Sequence, residues 1–158
     1  MQKRITTFLT FDGRAEEAVA LYTSIFDNSR ILSQTRYGEA GPGAEGSLMT
    51  ATFELDGQEL VALNGGPSFE FSQGISLLVD CQTQEEVDRY WEALGGGGET
   101  GPCGWLTDRF GVSWQVVPRR LSELLGDPDR EKANRAMEAM LQMGKIEIEG
   151  LERAFAGV

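Results

Sequence analysis

The sequence predicts an α+β fold made of two β-α-β-β-β modules and a C-terminal helical extension. Residues 3–67 and 74–118 each show a strand pattern, a helix pattern and further strand patterns, in that order. After Pro118 only helical spacing remains, which predicts the extension over residues 119–158. The length of 158 residues and the 41% share of hydrophobic residues fit one ordinary domain, which we expect to span residues 1–158.

The first module begins with alternating residues that predict a strand over Ile5–Phe11. Its more apolar face should pack on a helix, and the opposite face is formed by Thr6, Phe8 and Thr10. Asp12 or a nearby residue should cap the helix that follows. The remaining elements are a helix over 15–26 and strands over 30–37, 48–55 and 59–64, the last two joined by an Asp56-Gly57 hairpin turn.

The second module repeats this order. On its last strand, Trp114 should pack on the helix, while Ser113 and Gln115 face the other way. Its elements are a strand over 74–79, a helix over 84–94 that ends at the glycine run 95–98, and short strands over 105–108 and 112–117. Four residue pairs share one spacing and predict an internal duplication: Asp12 with Asp80, Val19 with Val87, Tyr22 with Tyr90, and Phe26 with Leu94.

The extension is predicted to be purely helical. Asp127-Pro128 predicts a helix start, because proline suits the first helical position. A last helix is predicted over 147–156. We expect these helices to cover their own domain, with a partner subunit as the alternative. The apolar stripe of the longer helix is formed by Ala133, Ala136, Met137, Met140 and Leu141.

The acidic composition restricts the classes of partner. The formal net charge is −11, and nucleic acids and anionic membrane surfaces attract basic proteins, so neither is expected as a partner. No signal peptide and no apolar run long enough to cross a bilayer is recognisable. Two cysteines do not make a disulfide framework, and we therefore expect a cytoplasmic protein.

Histidine is absent from the sequence. This excludes Ser-His-Asp and Cys-His catalysis, and it excludes the usual histidine-rich zinc and non-haem iron sites. Any acid–base chemistry has to use carboxylates, cysteine, tyrosine or lysine.

Four segments resemble the vicinal oxygen chelate superfamily of glyoxalases and bleomycin resistance proteins. They are most similar to its PhnB-like branch, whose members are often labelled 3-demethylubiquinone-9 3-methyltransferase. The resemblance implies that the two modules form a curved half-open barrel, with helices outside and the ligand or metal on the concave face. It also implies a homodimer, formed by side-by-side packing or by exchange of modules. The segments are Phe8–Ala18, Ala62–Pro67, Gln84–Trp91 and, most specifically, Cys103–Pro118, and the Met143–Ile146 region fits the branch's C-terminal extension.

The resemblance also locates the positions where metal-dependent relatives carry His or Glu. Those positions match Thr6, Val61 or Leu63, Gly74 or Ser76, and Gln115 in this chain. Only Gln115 offers a plausible ligand atom, and a neutral amide binds divalent ions weakly. We therefore expect no metal. We also expect no cofactor, because no glycine-rich loop follows a strand as in a dinucleotide site.

The concave face is the expected ligand site. Gln115 needs hydrogen bonds from a ligand, from water, or from Ser76 or Thr6. Cys103 is a candidate nucleophile, or alternatively a small buried residue. The expected ligand-binding residues are Thr6, Phe8, Thr50, Leu63, Ser76, Trp105 and Gln115.

The lack of a metal ligand set favours binding over catalysis. The main hypothesis is a metal-independent protein of the glyoxalase/bleomycin resistance type that binds a small organic molecule. The alternative is an enzyme on a small organic substrate, with a methyltransferase, dioxygenase or lyase label by resemblance. A dimeric scaffold without a ligand is the third possibility.

Overall fold

A computed structural model describes residues 2–158. Its elements follow the order β-α-β-β-β twice and then three helices, which confirms the predicted α+β fold. The chain divides into two compact units, one up to Phe71 and the other from Ser72 to Val158. The elements are β1 (Thr7–Phe11), α1 (Ala15–Ile25), β2 (Arg30–Arg36), β3 (Leu48–Leu55), β4 (Gln58–Asn64), β5 (Leu77–Cys81), α2 (Gln84–Gly95), β6 (Glu99–Thr100), β7 (Trp105–Thr107), β8 (Ser113–Pro118), α3 (Arg119–Leu125), α4 (Arg130–Leu141) and α5 (Ile148–Ala156).

Each unit contains one four-stranded mixed sheet. The strand order is β1-β4-β3-β2 in the first unit and β5-β8-β7-β6 in the second. In both sheets the first and last strands of the module pair in parallel, and the other neighbours pair antiparallel. This shared topology agrees with the predicted duplication. Sequence periodicity did not reveal β6, because two residues are too few to show alternation.

The β3–β4 hairpin sets the register of the first sheet. Phe53 pairs with Leu60 and Ala51 pairs with Ala62, as the predicted turn requires. Asp56 and Gly57 have φ angles of 48° and 78°, the left-handed values of a type I′ turn. Helix α1 packs on the resulting apolar face. Buried residues of this face are Leu9, Phe11, Ala51, Phe53, Leu60 and Ala62.

The start of α1 differs from the prediction. Arg14, not Asp12, is the N-cap residue, and its side chain makes no capping hydrogen bond. Instead, the backbone N–H of Ala15 donates to Oδ1 of Asn64 at 2.9 Å. Nδ2 of Asn64 donates to the carbonyl of Leu48 at 3.1 Å. One amide from the end of β4 therefore connects helix α1 with strand β3.

In the second unit, α2 covers one face of the sheet. Trp114 is 2% exposed and lies in the core, as its position in the alternating pattern predicts. Helix α2 begins after Thr83, whose hydroxyl accepts from the N–H of Glu86. The other buried side chains of this core include Val79, Cys81, Val87, Leu94 and Val116.

A buried carboxylate organises the turn between β7 and β8. Asp108 is 3% exposed. Its Oδ1 accepts from the backbone N–H groups of Phe110 at 2.9 Å and Val112 at 3.0 Å. Its Oδ2 accepts from the indole Nε1–H of Trp114 at 2.9 Å. Three donors thus compensate for the lost hydration of the carboxylate, and they fix both the turn and the indole.

The extension belongs to the second unit. Gln84 of α2 binds it twice, because its Nε2 donates to the carbonyl of Ile146 and its Oε1 accepts from the N–H of Ile148. The predicted cap of α4 is wrong by two residues, since Asp129 rather than Asp127 accepts from the N–H of Lys132.

No helix in residues 2–158 is long and apolar enough to cross a membrane. The small core of the extension contains Leu121, Leu124, Ala136, Ile146 and Leu151.

Replacing Asp108 by Asn tests the role of the buried carboxylate. The amide oxygen of Asn can still accept from the two backbone N–H groups, but its NH₂ group cannot accept from the indole of Trp114. We expect the free energy of unfolding to fall by about 1–3 kcal/mol in urea denaturation. Asp56→Asn removes the same charge at an exposed turn that tolerates Asn, and it should change stability by less than about 0.5 kcal/mol. Equal effects of the two substitutions would contradict this role.

Candidate functional site

The sheet face of the second unit that points away from α2 carries the candidate site. Because Trp114 and Val116 point towards the helix, their neighbours Ser113 and Gln115 point to the other face. Strand pairing then places Thr107 opposite Ser113 and Trp105 opposite Gln115. We call this surface the β7–β8 face and define it by Trp105, Thr107, Ser113 and Gln115.

A cavity of about 460 Å³ lies at the β7–β8 face. This volume falls within the range of about 300–1,000 Å³ that small-molecule sites occupy. Its wall combines the indole of Trp105 with several hydroxyl groups and one carboxylate. The lining residues are Gln73, Glu99, Thr100, Gly101, Pro102, Trp105, Leu106, Thr107 and Ser113.

Ser113 has an unsatisfied hydroxyl group. The residue is 3% exposed, and its Oγ is buried with no hydrogen-bond partner. Leaving such a group unpaired costs about 1–3 kcal/mol, and native proteins rarely tolerate this cost without a reason. Ser113 is also one of the residues that line the cavity.

Gln115 and Ser76 are hydrogen-bonded to each other. Nε2 of Gln115 donates to Oγ of Ser76 at 2.9 Å, so the structure contains the internal bond that was one of the alternatives for this amide. Oε1 of Gln115 accepts no hydrogen bond from the described residues, which leaves an acceptor available on the β7–β8 face. Neither residue lines the cavity itself, although Gln115 is the cross-strand neighbour of Trp105.

Three of the four predicted ligand residues of the first unit, Phe8, Thr50 and Leu63, lie on the face of its sheet that points away from α1. Thr50 pairs with Leu63 across the strands, and the Thr50 hydroxyl shares a hydrogen bond with that of Thr35. Phe8 is 54% exposed on the edge strand β1. Thr6 lies before β1, which begins at Thr7 rather than at Ile5, and it is exposed. The structure therefore brings Thr50 and Leu63 together but does not include Thr6 in the sheet.

The first unit also contains a cavity of about 450 Å³. It lies between the start of α1 and the glycine-rich loop, and none of the predicted ligand residues lines it. Arg36 and Glu16 form an ion pair at 3.8 Å beside it. The Tyr37 hydroxyl donates to the carbonyl of Asn64. Among the described residues, only Ser113 has a buried side-chain polar atom without a hydrogen-bond partner, so this cavity offers no equivalent of the Ser113 hydroxyl.

The two cysteines have different environments. Cys103 is partly exposed in the turn before β7, and its N–H donates to the carbonyl of Met143 at 2.8 Å. It does not line the cavity of the β7–β8 face. Cys81 is fully buried, and burial raises the pKa of its thiol to about 12, with smaller contributions from Glu86 and Asp80.

The side chains present do not fit a divalent metal ion. In the described part of the chain, no three His, Cys, Asp or Glu side chains are grouped closely enough to hold one. At the positions where relatives are expected to carry metal ligands, the second unit provides the Ser76 hydroxyl and the Gln115 amide. Neutral oxygen donors alone bind divalent ions weakly.

Sequence reasoning did not select several residues of the cavity. Ser113 was placed on the correct face, but serine in a strand is common and gave no signal of an unpaired hydroxyl. Thr107 and Glu99 were not singled out, because β7 and β6 are too short to show a pattern. For Ser113, the one available signal was its alternation with Trp114, which places its side chain on the face opposite α2.

Thiol labelling tests the difference between the cysteines. At pH 8 we expect one thiol per chain to react with a disulfide reagent, because Cys103 is accessible while the raised pKa and burial of Cys81 suppress its thiolate. Cys103→Ser should abolish labelling of the folded protein, and Cys81→Ser should leave it unchanged. Rapid labelling of two thiols in the folded protein would contradict the burial of Cys81.

Comparison with known proteins places this geometry in a family. The sequence profile of the 3-demethylubiquinone-9 3-methyltransferase family matches residues 3–117. The PhnB protein of Bacillus cereus has 43% sequence identity, covers 73% of this chain and 99% of its own, and superimposes with a TM-score of 0.67. The search of curated proteins found no match.

More distant structures share the fold. The protein PA1353 of Pseudomonas aeruginosa has 24% identity over 74% of this chain and 98% of its own, with a TM-score of 0.62. The fosfomycin resistance protein FosX of Listeria monocytogenes, complexed with Mn(II) and sulfate, has 19% identity over 73% of this chain and 91% of its own, with a TM-score of 0.54. The profile match ends before α3, so the fit of Met143–Ile146 to the branch's extension stays a prediction. The profile and the Bacillus relative together establish that this chain belongs to the 3-demethylubiquinone-9 3-methyltransferase (PhnB-like) family.

Proposed function

We propose that this chain is a metal-independent protein that binds a small organic molecule at the β7–β8 face. The observation that carries the proposal is the buried, unpaired hydroxyl of Ser113 beside a cavity of about 460 Å³. A bound ligand would give this hydroxyl a hydrogen-bond partner. It would thereby remove the free-energy cost of leaving a buried hydroxyl unpaired in the ligand-free protein.

The composition of the cavity wall supports a specific site. Trp105 contributes a large, partly exposed aromatic surface, and Thr107, which also lines the cavity, pairs with Ser113 across the strands. Small-molecule sites typically combine apolar area with a few polar groups that orient the ligand. Gln115, with its free Oε1, adds an acceptor on the same face.

The donor set supports metal independence. FosX has Mn(II) in its complex, but at 19% identity it shares only the fold with this chain. The hydroxyl, amide and indole groups of the β7–β8 face are hydrogen-bonding and stacking groups rather than ligands for a divalent ion. The proposal therefore assigns the ligand's affinity to these groups alone.

The proposal does not adopt methyl transfer from the family name. The glycine run Gly95–Gly98 ends α2, and Gly98 packs closely on the protein, since a Cβ there would overlap the carbonyl oxygen of Thr107. These glycines therefore allow a tight exit from a helix, and they do not form an open loop after a strand that would receive a cofactor.

The proposed assembly is a cytoplasmic homodimer with neither nucleic acid nor membrane as partner. Exposed apolar side chains on the edge strands support association, among them Phe8 and Leu78 at 54% and 56% exposure. The net charge of −11 supports the exclusion of polyanionic partners.

Ser113→Ala is the substitution that tests the proposed site. Removing an unpaired hydroxyl should leave the free energy of unfolding unchanged or raise it by about 1 kcal/mol in urea denaturation. The same substitution should weaken binding of aromatic fragments found by thermal-shift screening by about three- to tenfold, measured by calorimetry.

Ser122→Ala is the matched control, because Ser122 is exposed on α3. It should change neither quantity. A Ser113→Ala protein that is clearly less stable, and that binds the fragments as tightly as the original protein, would show that the hydroxyl is structural.

Metal analysis tests the other half of the proposal. Protein purified without a chelator should contain far less than one equivalent of any transition metal per chain, measured by inductively coupled plasma mass spectrometry. Adding Mn(II) or Zn(II) should leave the melting temperature and fragment affinity unchanged, since an ion that binds the folded state raises its stability. A stoichiometric metal, or fragment binding that depends on added metal, would contradict metal independence.

A further inference from the structure

The charge of the cavity wall limits the class of ligand, provided that the proposed binding function is correct. Of the nine lining residues, Glu99 alone is ionisable at neutral pH, and neither Lys nor Arg is among them. Glu99 makes no ion pair with any described residue. The carboxylate therefore gives the cavity a negative charge that no cationic side chain among the lining residues balances.

An anionic ligand would be poorly held at this surface. Proteins bind phosphate, phosphonate or carboxylate groups through Arg, Lys or converging backbone N–H groups. The N–H of Gly101 already donates to the carbonyl of Trp105 at 2.8 Å. The net charge of −11 adds long-range repulsion of anions and attraction of cations.

The remaining groups favour a flat ring that carries a positive charge. The face of an indole stacks on aromatic rings and attracts organic cations. The Ser113 hydroxyl can accept from an ammonium N–H or donate to a neutral ring atom. We infer that the ligand is an aromatic or heteroaromatic amine, with its ring against Trp105 and its cationic group oriented towards Glu99.

Three probes that each carry a two-carbon side chain on a phenyl ring isolate the effect of charge. Phenethylamine, 2-phenylethanol and phenylacetate are cationic, neutral and anionic at pH 7. Titration of ¹⁵N-labelled protein at low ionic strength would follow the Trp105 indole and the Ser113 amide. We expect phenethylamine to bind about tenfold more tightly than phenylacetate, with 2-phenylethanol between them.

Two substitutions of equal charge separate the cavity from the net charge. Glu99→Gln should reduce the tenfold difference to about threefold or less. Glu138→Gln changes the net charge by the same amount at an exposed position of α4 outside the cavity, and it should leave the difference unchanged. High salt should also narrow the difference in the original protein.

The outcomes distinguish this inference from the proposed function. Binding of phenylacetate as tight as that of phenethylamine would overturn the ligand class while leaving the binding site intact. An equal effect of Glu99→Gln and Glu138→Gln would likewise overturn the role of Glu99. If none of the three probes shifts the Trp105 and Ser113 signals, the proposed function fails, and the ligand class fails with it.

Discussion

The β7–β8 face depends on the buried carboxylate of Asp108. By accepting from two backbone N–H groups of its own turn and from the indole of Trp114, this carboxylate fixes where β8 begins and which way its residues point. A slip of one residue would exchange the two faces of β8, exposing Trp114 and burying Gln115 against α2. The positions of Ser113 and Gln115 on the β7–β8 face are thus consequences of a hydrogen-bonded turn whose residues Asp108, Phe110 and Val112 do not line the cavity.

This dependence explains why the most specific sequence segment is informative about fold and less so about ligand. In Cys103–Pro118, the residues that resemble the family include the carboxylate and indole that hold the turn together. The candidate ligand groups alternate with these residues along β8. Sequence similarity in this segment therefore predicts the fold. The chemistry of the site depends instead on how the folded chain arranges Trp105, Thr107 and Ser113.

Sequence periodicity predicted the features that are set by residues close together in the chain, namely strand faces and hairpin register. The alternation on β8 and the Asp56-Gly57 turn gave the correct faces and register, because both are set within a few residues. It could not predict bonds between distant residues. Asn64 caps α1 from the end of β4, and the unpaired state of Ser113 depends on which donors and acceptors the whole fold brings near it. Single-sequence reasoning also placed Thr6 in a strand that begins one residue later.

The extension adds a constraint that the family match does not contain. The match ends at residue 117, yet the N–H groups of Cys103 and Gly104 donate to the carbonyls of Met143 and Gly144, both at 2.8 Å. These bonds hold the turn directly after Gly101 and Pro102, which line the cavity. Gly104 has a φ of 82°, and a Cβ there would lie 2.7 Å from the carbonyl of Val116, so this turn has little freedom to rearrange. Met143 and Gly144, which lie outside the match, therefore fix one wall of the cavity through hydrogen bonds. A ligand found in a relative that lacks these bonds is not evidence for the ligand of this chain.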